Sequence, residues 1–294
     1  MPPMKPTHIL LALLTVLIWG SNFVVIKIGL QGLPPIMFTA LRFGFAALPL
    51  VFFVKPPAAP LKLVSGFAMF QFACQFTLLF GGVKLGFPAG LASLVIQLQA
   101  FFTIGLAVLL LHERPSFNQL LGALVALSGM VLVAFNLDAK PTVIGFAMVV
   151  GAGLSWATAN IFTKKIGKVD PLSLVVWGSL LASGPLAAAS LAIEGSAAWS
   201  AAYVHLNWRS VAAVLFQSYP NTIVGYGIWS FLMRKYPAAT IAPFSLLVPV
   251  VGMLSAAAIL GEPLQWWKIA AGLLVLGGLL LNQFGVRRLG PVNA

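Results

Sequence analysis

Apolar residues run through this chain in stretches of about twenty, broken by short polar or proline-containing segments, and a bilayer core of ~30 Å is crossed by about that many helical residues. On that length the pattern predicts ten spans, over residues 8–30, 35–54, 62–84, 88–111, 117–136, 142–164, 171–193, 209–233, 237–260 and 265–285. Pro35, Pro88, Pro171 and Pro237 stand where helices are expected to start, and proline is well tolerated in a first helical turn. Connections are short except for Glu194 to Trp208, where a small amphipathic surface piece is expected. The first stretch resembles a secretory signal, with Lys5 before HILLALLTVLIWG. It continues apolar through Ile28 without a small-x-small site, so it is read as a retained span.

Polar side chains interrupt several spans, and their spacing gathers them onto faces. Trp19 and Asn22 lie three apart in the first span, and Trp156 and Asn160 four apart in the sixth. Either spacing puts both members of a pair on one helix face. Gln71 and Gln75 share a face of the third span, Ser93 and Gln97 one of the fourth, and Gln217 and Asn221 one of the eighth. Gln99 points away from Gln97, while Tyr226 lies with Tyr219, Thr222 and Trp229 on another face of the eighth span. Pro220, Pro243 and Pro249 fall within spans and free backbone carbonyls there. Such groups can join helices by hydrogen bonds, each contributing ~0.6–2 kcal/mol. As a set spread over five helices, they also predict a polar central cavity that binds a small molecule.

The chain also repeats itself. Asn22-x4-Lys27-x-Gly29 recurs as Asn160-x4-Lys165-x-Gly167, 138 residues later, each Asn preceded by a Trp. Pro88-Ala89 matches Pro237-Ala238, Glu113 matches Glu262 and Gly129 matches Gly278, each 149 residues later. The expectation is two five-helix halves, residues 1–139 and 140–294. An odd number of spans per half places the second upside down, a plan found in transporters whose substrate sits between the halves.

Composition reinforces this picture. The chain is 60% hydrophobic and 7% charged, against roughly a quarter charged in a soluble domain. A formal net charge of +12 brings nucleic acid to mind, but the basic residues are scattered at span ends. With the N-terminus cytoplasmic, eleven Lys and Arg fall at cytoplasmic ends and five opposite, which favours both termini inside. Arg42 alone lies within a span. It could meet a substrate carboxylate, snorkel to an interface or pair with carbonyls, and a structural role is the preferred reading. Lys27 is expected at the outer boundary. The five acids all fall at span ends or in loops, so no midplane carboxylate is offered for a proton relay. The single Cys74 allows no internal disulfide, and three scattered His suggest no metal site. Phosphate-loop, serine-elbow and zinc-helix motifs are missing, so no cofactor and no enzyme chemistry are expected.

Several blocks resemble a known family: LIWGSNFVVIKIGL with the following Leu41-Arg42-Phe43, PAGLASLV from Pro88, QAFFTI from Gln99, TIVGYGIW from Thr222 and SLLVPVVG from Ser245. They are similar to EamA-type exporters of the drug/metabolite transporter superfamily, over Leu10 to Gly285, and within it most similar to exporters of O-acetylserine and cysteine. The resemblance implies an all-α protein of ten transmembrane helices in two inverted five-helix repeats. It further implies a bacterial inner membrane, both termini cytoplasmic, and export of small amino acids or related metabolites by alternating access without ATP. Gln217-Ser218-Tyr219-Pro220-Asn221 is more polar than the aliphatic run the family leads one to expect, which points toward larger or aromatic amino acids. Two alternatives stay open, a flippase for a lipid-linked head group and a channel or signalling protein with no substrate cycle.

Overall fold

The computed structural model describes residues 4–85, 87, 92, 95–136, 142–260 and 265–284. Among these the regular structure is helical throughout. In chain order the helices are α1 (Pro6–Gly29), α2 (Pro35–Ala47), α3 (61–84), α4 (Ile96–Leu111), α5 (Phe117–Phe135), α6 (Val143–Ile166), α7 (Pro171–Ile193), the short α8 (Ser196–Val204), α9 (208–235), α10 (238–260) and α11 (Trp266–Phe284). Six apolar stretches of the described residues, Pro6–Ile26, Pro35–Phe52 (α2 with the turn after it), Leu61–Gly82, Val143–Ile166, Pro171–Ile193 and Ala238–Ile259, are long enough to cross a membrane, and α4, α5 and α11 contain shorter apolar helices. In α9 the polar run from Gln217 to Asn221 interrupts the apolar sequence. The surface piece expected after Glu194 is α8, with Tyr203 and Val204 exposed.

Local chemistry sets the boundaries. Pro6, Pro35 and Pro171 open α1, α2 and α7. Asp170 caps α7 by accepting from Ser173 N at 2.8 Å, and Asn207 caps α9 through Arg209 N and Ser210 N. Two helices depart from α geometry in mid-course: α3 is π-helical over Met69–Cys74 and α9 over Gln217–Tyr226. Pro220 explains the second, since it offers no N–H to the ladder. A short 3-10 stretch, Ala242–Leu247, contains Pro243 and interrupts the α geometry of α10.

Polarity is distributed as lipid demands. Leu10, Leu109 and Leu273 are 66%, 72% and 66% exposed, whereas Gln99, Asn160 and Gln71 are 0%, 1% and 1% exposed. A water-soluble fold would reverse this, because a polar group facing hydrocarbon has no partner.

Helices pair as α1 with α10, α4 with α6, α3 with α6, α1 with α9, α2 with α7 and α5 with α11. The last pair depends on the matched glycines. A Cβ at Gly278 would run into Gly122 O and Ala126 N, and one at Gly129 into Ala271 O. Small residues at a crossing let two membrane helices approach backbone to backbone, where packing replaces the hydrophobic drive that lipid removes.

Candidate functional site

The two tryptophans that the repeat singles out meet in the centre of the molecule. Trp19 on α1 lies edge-on to Trp156 on α6, ring centroids 5.4 Å apart at 71°. Tyr226 and Trp229 of α9 complete the cluster, 4.8 and 5.2 Å from Trp19. Each such pair adds ~0.5–1.5 kcal/mol beyond area burial. Trp19 Nε1 donates to Asn221 O at 3.2 Å. The indole can reach this far because residue 225 is glycine: a Cβ there would collide with Trp19 Nε1.

Against this cluster lies a cavity of about 550 Å³, within the range usual for small-molecule sites. It reaches Leu30, Pro34 and Pro35 at the α1–α2 connection and Ile193 and Glu194 at the end of α7. Ile26, Leu79, Phe80, Ile96 and Val248 give it an apolar wall. Its polar lining is Asn22, Gln75, Gln97, Asn221, Tyr226, Arg42 and Glu194, with Trp19 and Trp156 at its base.

Four polar atoms of this lining are buried without a hydrogen-bond partner: Asn22 Oδ1, Gln97 Oε1, Asn221 Oδ1 and Trp156 Nε1. Leaving such an atom unpaired costs ~1–3 kcal/mol, and native proteins rarely gather several in one place. Each amide can present its oxygen or, turned over, its nitrogen. Together they form a set of directed dipoles with the chemistry to bind a polar ligand.

Of the residues expected to bind substrate, the structure brings Trp19, Asn22, Gln75, Gln97, Trp156, Asn221 and Tyr226 to the cavity. Gln71, Asn160 and Gln217 lie one layer back. Gln71 Nε2 donates to Gln75 Oε1 at 2.9 Å, and Gln217 Oε1 accepts from Asn221 Nδ2 at 2.6 Å. In each of these i, i+4 pairs one amide holds the other toward the cavity, and each pair sits at a π-helical segment. Asn160 is fully engaged: its Oδ1 accepts from Trp229 Nε1 at 2.9 Å, and its Nδ2 donates to Thr103 Oγ1 at 3.0 Å and Gln99 Oε1 at 3.4 Å. Gln99 Nε2 continues the network to Ser245 Oγ at 2.5 Å. Ser93, Glu262 and the Lys27 side chain lie outside the described residues.

Arg42 corrects the sequence reading. Snorkelling is contradicted, because the side chain is 4% exposed and forms part of the cavity wall. Its Nε donates to Thr222 Oγ1 at 2.7 Å, and that hydroxyl donates to Gln217 O at 2.7 Å within the π-helical turn. The guanidinium lies 4.7 Å from the Phe76 ring centroid, 4.8 Å from Phe43 and 5.8 Å from Tyr226. No described carboxylate reaches it. Glu194, the acid at the cavity's edge, is engaged elsewhere: it accepts from Ile36 N at 2.7 Å, Met37 N at 2.8 Å and Ser190 Oγ at 2.6 Å, capping α2. Glu194 is a polar cavity residue that sequence reasoning missed, and Arg42 is one for which it preferred a structural role over substrate contact. The one available signal for Arg42 was its being the lone charge inside a span.

At the opposite end the helices are tied together. Glu113 pairs with Lys164 at 2.8 Å and accepts from Ala238 N at 2.8 Å, and Lys164 Nζ donates to Tyr236 O at 2.9 Å. The Tyr236 hydroxyl meets His8 Nδ1 at 2.6 Å, and Arg234 Nη1 donates to Gly167 O at 2.9 Å and to Val169 O. This latch joins α1, α6, α9 and α10 with the turn after α4.

A helical bundle with an apolar exterior, a closed end and a central cavity lined by unpartnered amides belongs to the class of multi-pass membrane transporters. The EamA-like transporter family matches residues 6–135 and again 143–284, and the chain belongs to that family. It is a transporter, not an enzyme. A probable amino-acid metabolite efflux pump of Salmonella typhimurium is 42% identical over 283 residues, 94% of this chain and 95% of that one. One of the same description from Escherichia coli gives the same figures. A probable terminal-alkyne amino-acid exporter of Streptantibioticus cattleyicolor is 27% identical over 283 residues, 91% of this chain and 90% of that one. A solved crystal structure, described only as that of a protein, has a TM-score of 0.81 and covers 99% of this chain and 100% of that one, at 19% identity, and it shows the fold alone.

Proposed function

We propose that this protein exports amino acids or closely related metabolites across a bacterial inner membrane by alternating access. The observation that carries the reading is the cavity, which combines an apolar wall with unpartnered amides, reaches one end of the bundle and is latched at the other. The names of the 42% identical relatives support the substrate class. In this reading ten helices cross the membrane as two inverted repeats, residues 1–139 and 140–294. The helix pairing supports it: exchanging the halves turns α1–α10 into α6–α4 and α3–α6 into α9–α1, while α2–α7 and α5–α11 map onto themselves.

With both termini cytoplasmic, as the Lys and Arg distribution favours, the cavity faces outward and the latch closes the cytoplasmic end. Cysteine and O-acetylserine are the first substrates to test, with larger and aromatic amino acids next. Of the polar run from Gln217 to Asn221, only Asn221 lines the cavity, so that run is a weak argument for aromatic preference.

The test is counterflow in proteoliposomes with labelled cysteine, O-acetylserine, threonine, methionine and phenylalanine. Saturable exchange of at least one, accelerated by unlabelled substrate on the far side, supports the reading. Exchange of none overturns it, and flux that never saturates favours a channel.

A further inference from the structure

We infer that Arg42 is the anchor for the substrate's carboxylate, and that the cavity therefore selects α-carboxylates, zwitterionic or anionic, over amides and cationic amino acids. The inference rests on the amino-acid reading above and names what that site recognises.

The chemistry begins with an unbalanced charge. A guanidinium withdrawn from water carries a desolvation penalty that is normally offset by a carboxylate with good geometry. Here the offset comes from three aromatic rings and one hydroxyl acceptor on Thr222. Ring faces attract a cation less strongly than an ion pair does. Guanidinium has five N–H donors in a planar fork that matches a carboxylate bidentately. The contact through Nε orients this fork and leaves most of its donors available at the wall of the cavity. Ser218 Oγ donates to Arg42 O at 2.9 Å, so the π-helical stretch of α9 holds both backbone and side chain of this residue.

The rest of the lining suits the remainder of an amino acid. Asn22 Oδ1, Gln97 Oε1 and Asn221 Oδ1 are unpartnered acceptors for an ammonium, while the apolar wall accepts a side chain. Glu194, the acid at the edge, is already held by two backbone amides and a serine hydroxyl. The ammonium thus meets neutral dipoles and the carboxylate meets a formal charge, which makes the carboxylate the dominant determinant. A ligand that adds a second positive charge meets the charge of Arg42, and Glu194, the acid of the described lining, has both oxygens already engaged.

The experiment measures competition in wild-type counterflow, using an exchanged amino acid, its amide and its N-acetyl derivative. The free acid should compete better than the amide by on the order of 10–100-fold, as for loss of a buried charge-assisted pair. The N-acetyl derivative should lose less than the amide. Arg42→Gln should bring the acid-to-amide ratio toward one, and Arg42→Lys should retain part of it. A merely structural Arg42 would lower exchange of all ligands and leave that ratio unchanged, which overturns the inference. If Arg42→Gln does not fold, the wild-type ratio and Arg42→Lys decide. A wild type that exchanges amino acids yet accepts amide and acid equally sinks this inference alone, whereas a wild type that exchanges none sinks the functional reading.

Discussion

Asn22 and Asn160 occupy matching places in the two halves, yet their surroundings are opposite. Asn22 lines the cavity with its carbonyl oxygen unpartnered, while Asn160 is packed behind it and bonded to Trp229, Thr103 and Gln99. The contrast extends along both helices. Ile26 lines the open cavity, and Lys164, 138 residues later, closes the latch with Glu113. In the proposed inverted-repeat reading, the difference between the two stations belongs to the conformation. One station is open and underbonded, the other closed and satisfied. In the alternating-access reading the two exchange these roles, and Trp19 against Trp156 is the crossing point between them.

The comparison predicts that one substitution has two signatures. Asn160→Ala strips partners from Trp229, Thr103 and Gln99, and should destabilise the protein by about 2–4 kcal/mol, seen as a lower melting temperature in detergent. A change within error would mean that the closed station contributes nothing to stability. Glu113→Gln weakens the latch by about 1–2 kcal/mol and should populate the opposite conformation. In a Cys74→Ser background, Thr163→Cys should then react several-fold faster with a membrane-impermeant thiol reagent than it does with the latch intact. Equal rates would show that the latch does not gate this end. Asn22→Ala should not destabilise the protein and should raise its stability by up to about 1–3 kcal/mol, since it removes a buried oxygen that has no partner, while transport falls about tenfold. Normal transport by this variant would remove Asn22 from the binding surface.

Much of this architecture was legible in the sequence. Twenty-residue apolar runs and prolines at their starts announced the helices, and the doubled Trp–Asn spacing pointed to the centre, where Trp19 and Trp156 meet. What could not be read was which member of each polar pair faces inward. Gln71 and Gln75 share a helix face, but the π-helical turn over Met69–Cys74 turns Gln75 to the cavity and leaves Gln71 to support it. No proline marks that turn, so local sequence carries no signal for it. Arg42 was visible as a charge within a span, but its role depends on Phe76 of α3 and Thr222 of α9. Those partners are joined to it only by the fold.

The central claim is that substrate occupies the cavity above the tryptophan crossing. The most direct test places a cysteine at Ile26 in a Cys74→Ser background and follows its reaction with an impermeant thiol reagent at increasing amino-acid concentration. Binding in the cavity predicts labelling that slows as substrate rises, with half-protection at the concentration that half-saturates counterflow. Labelling that stays constant under saturating counterflow would place the substrate elsewhere and contradict the account.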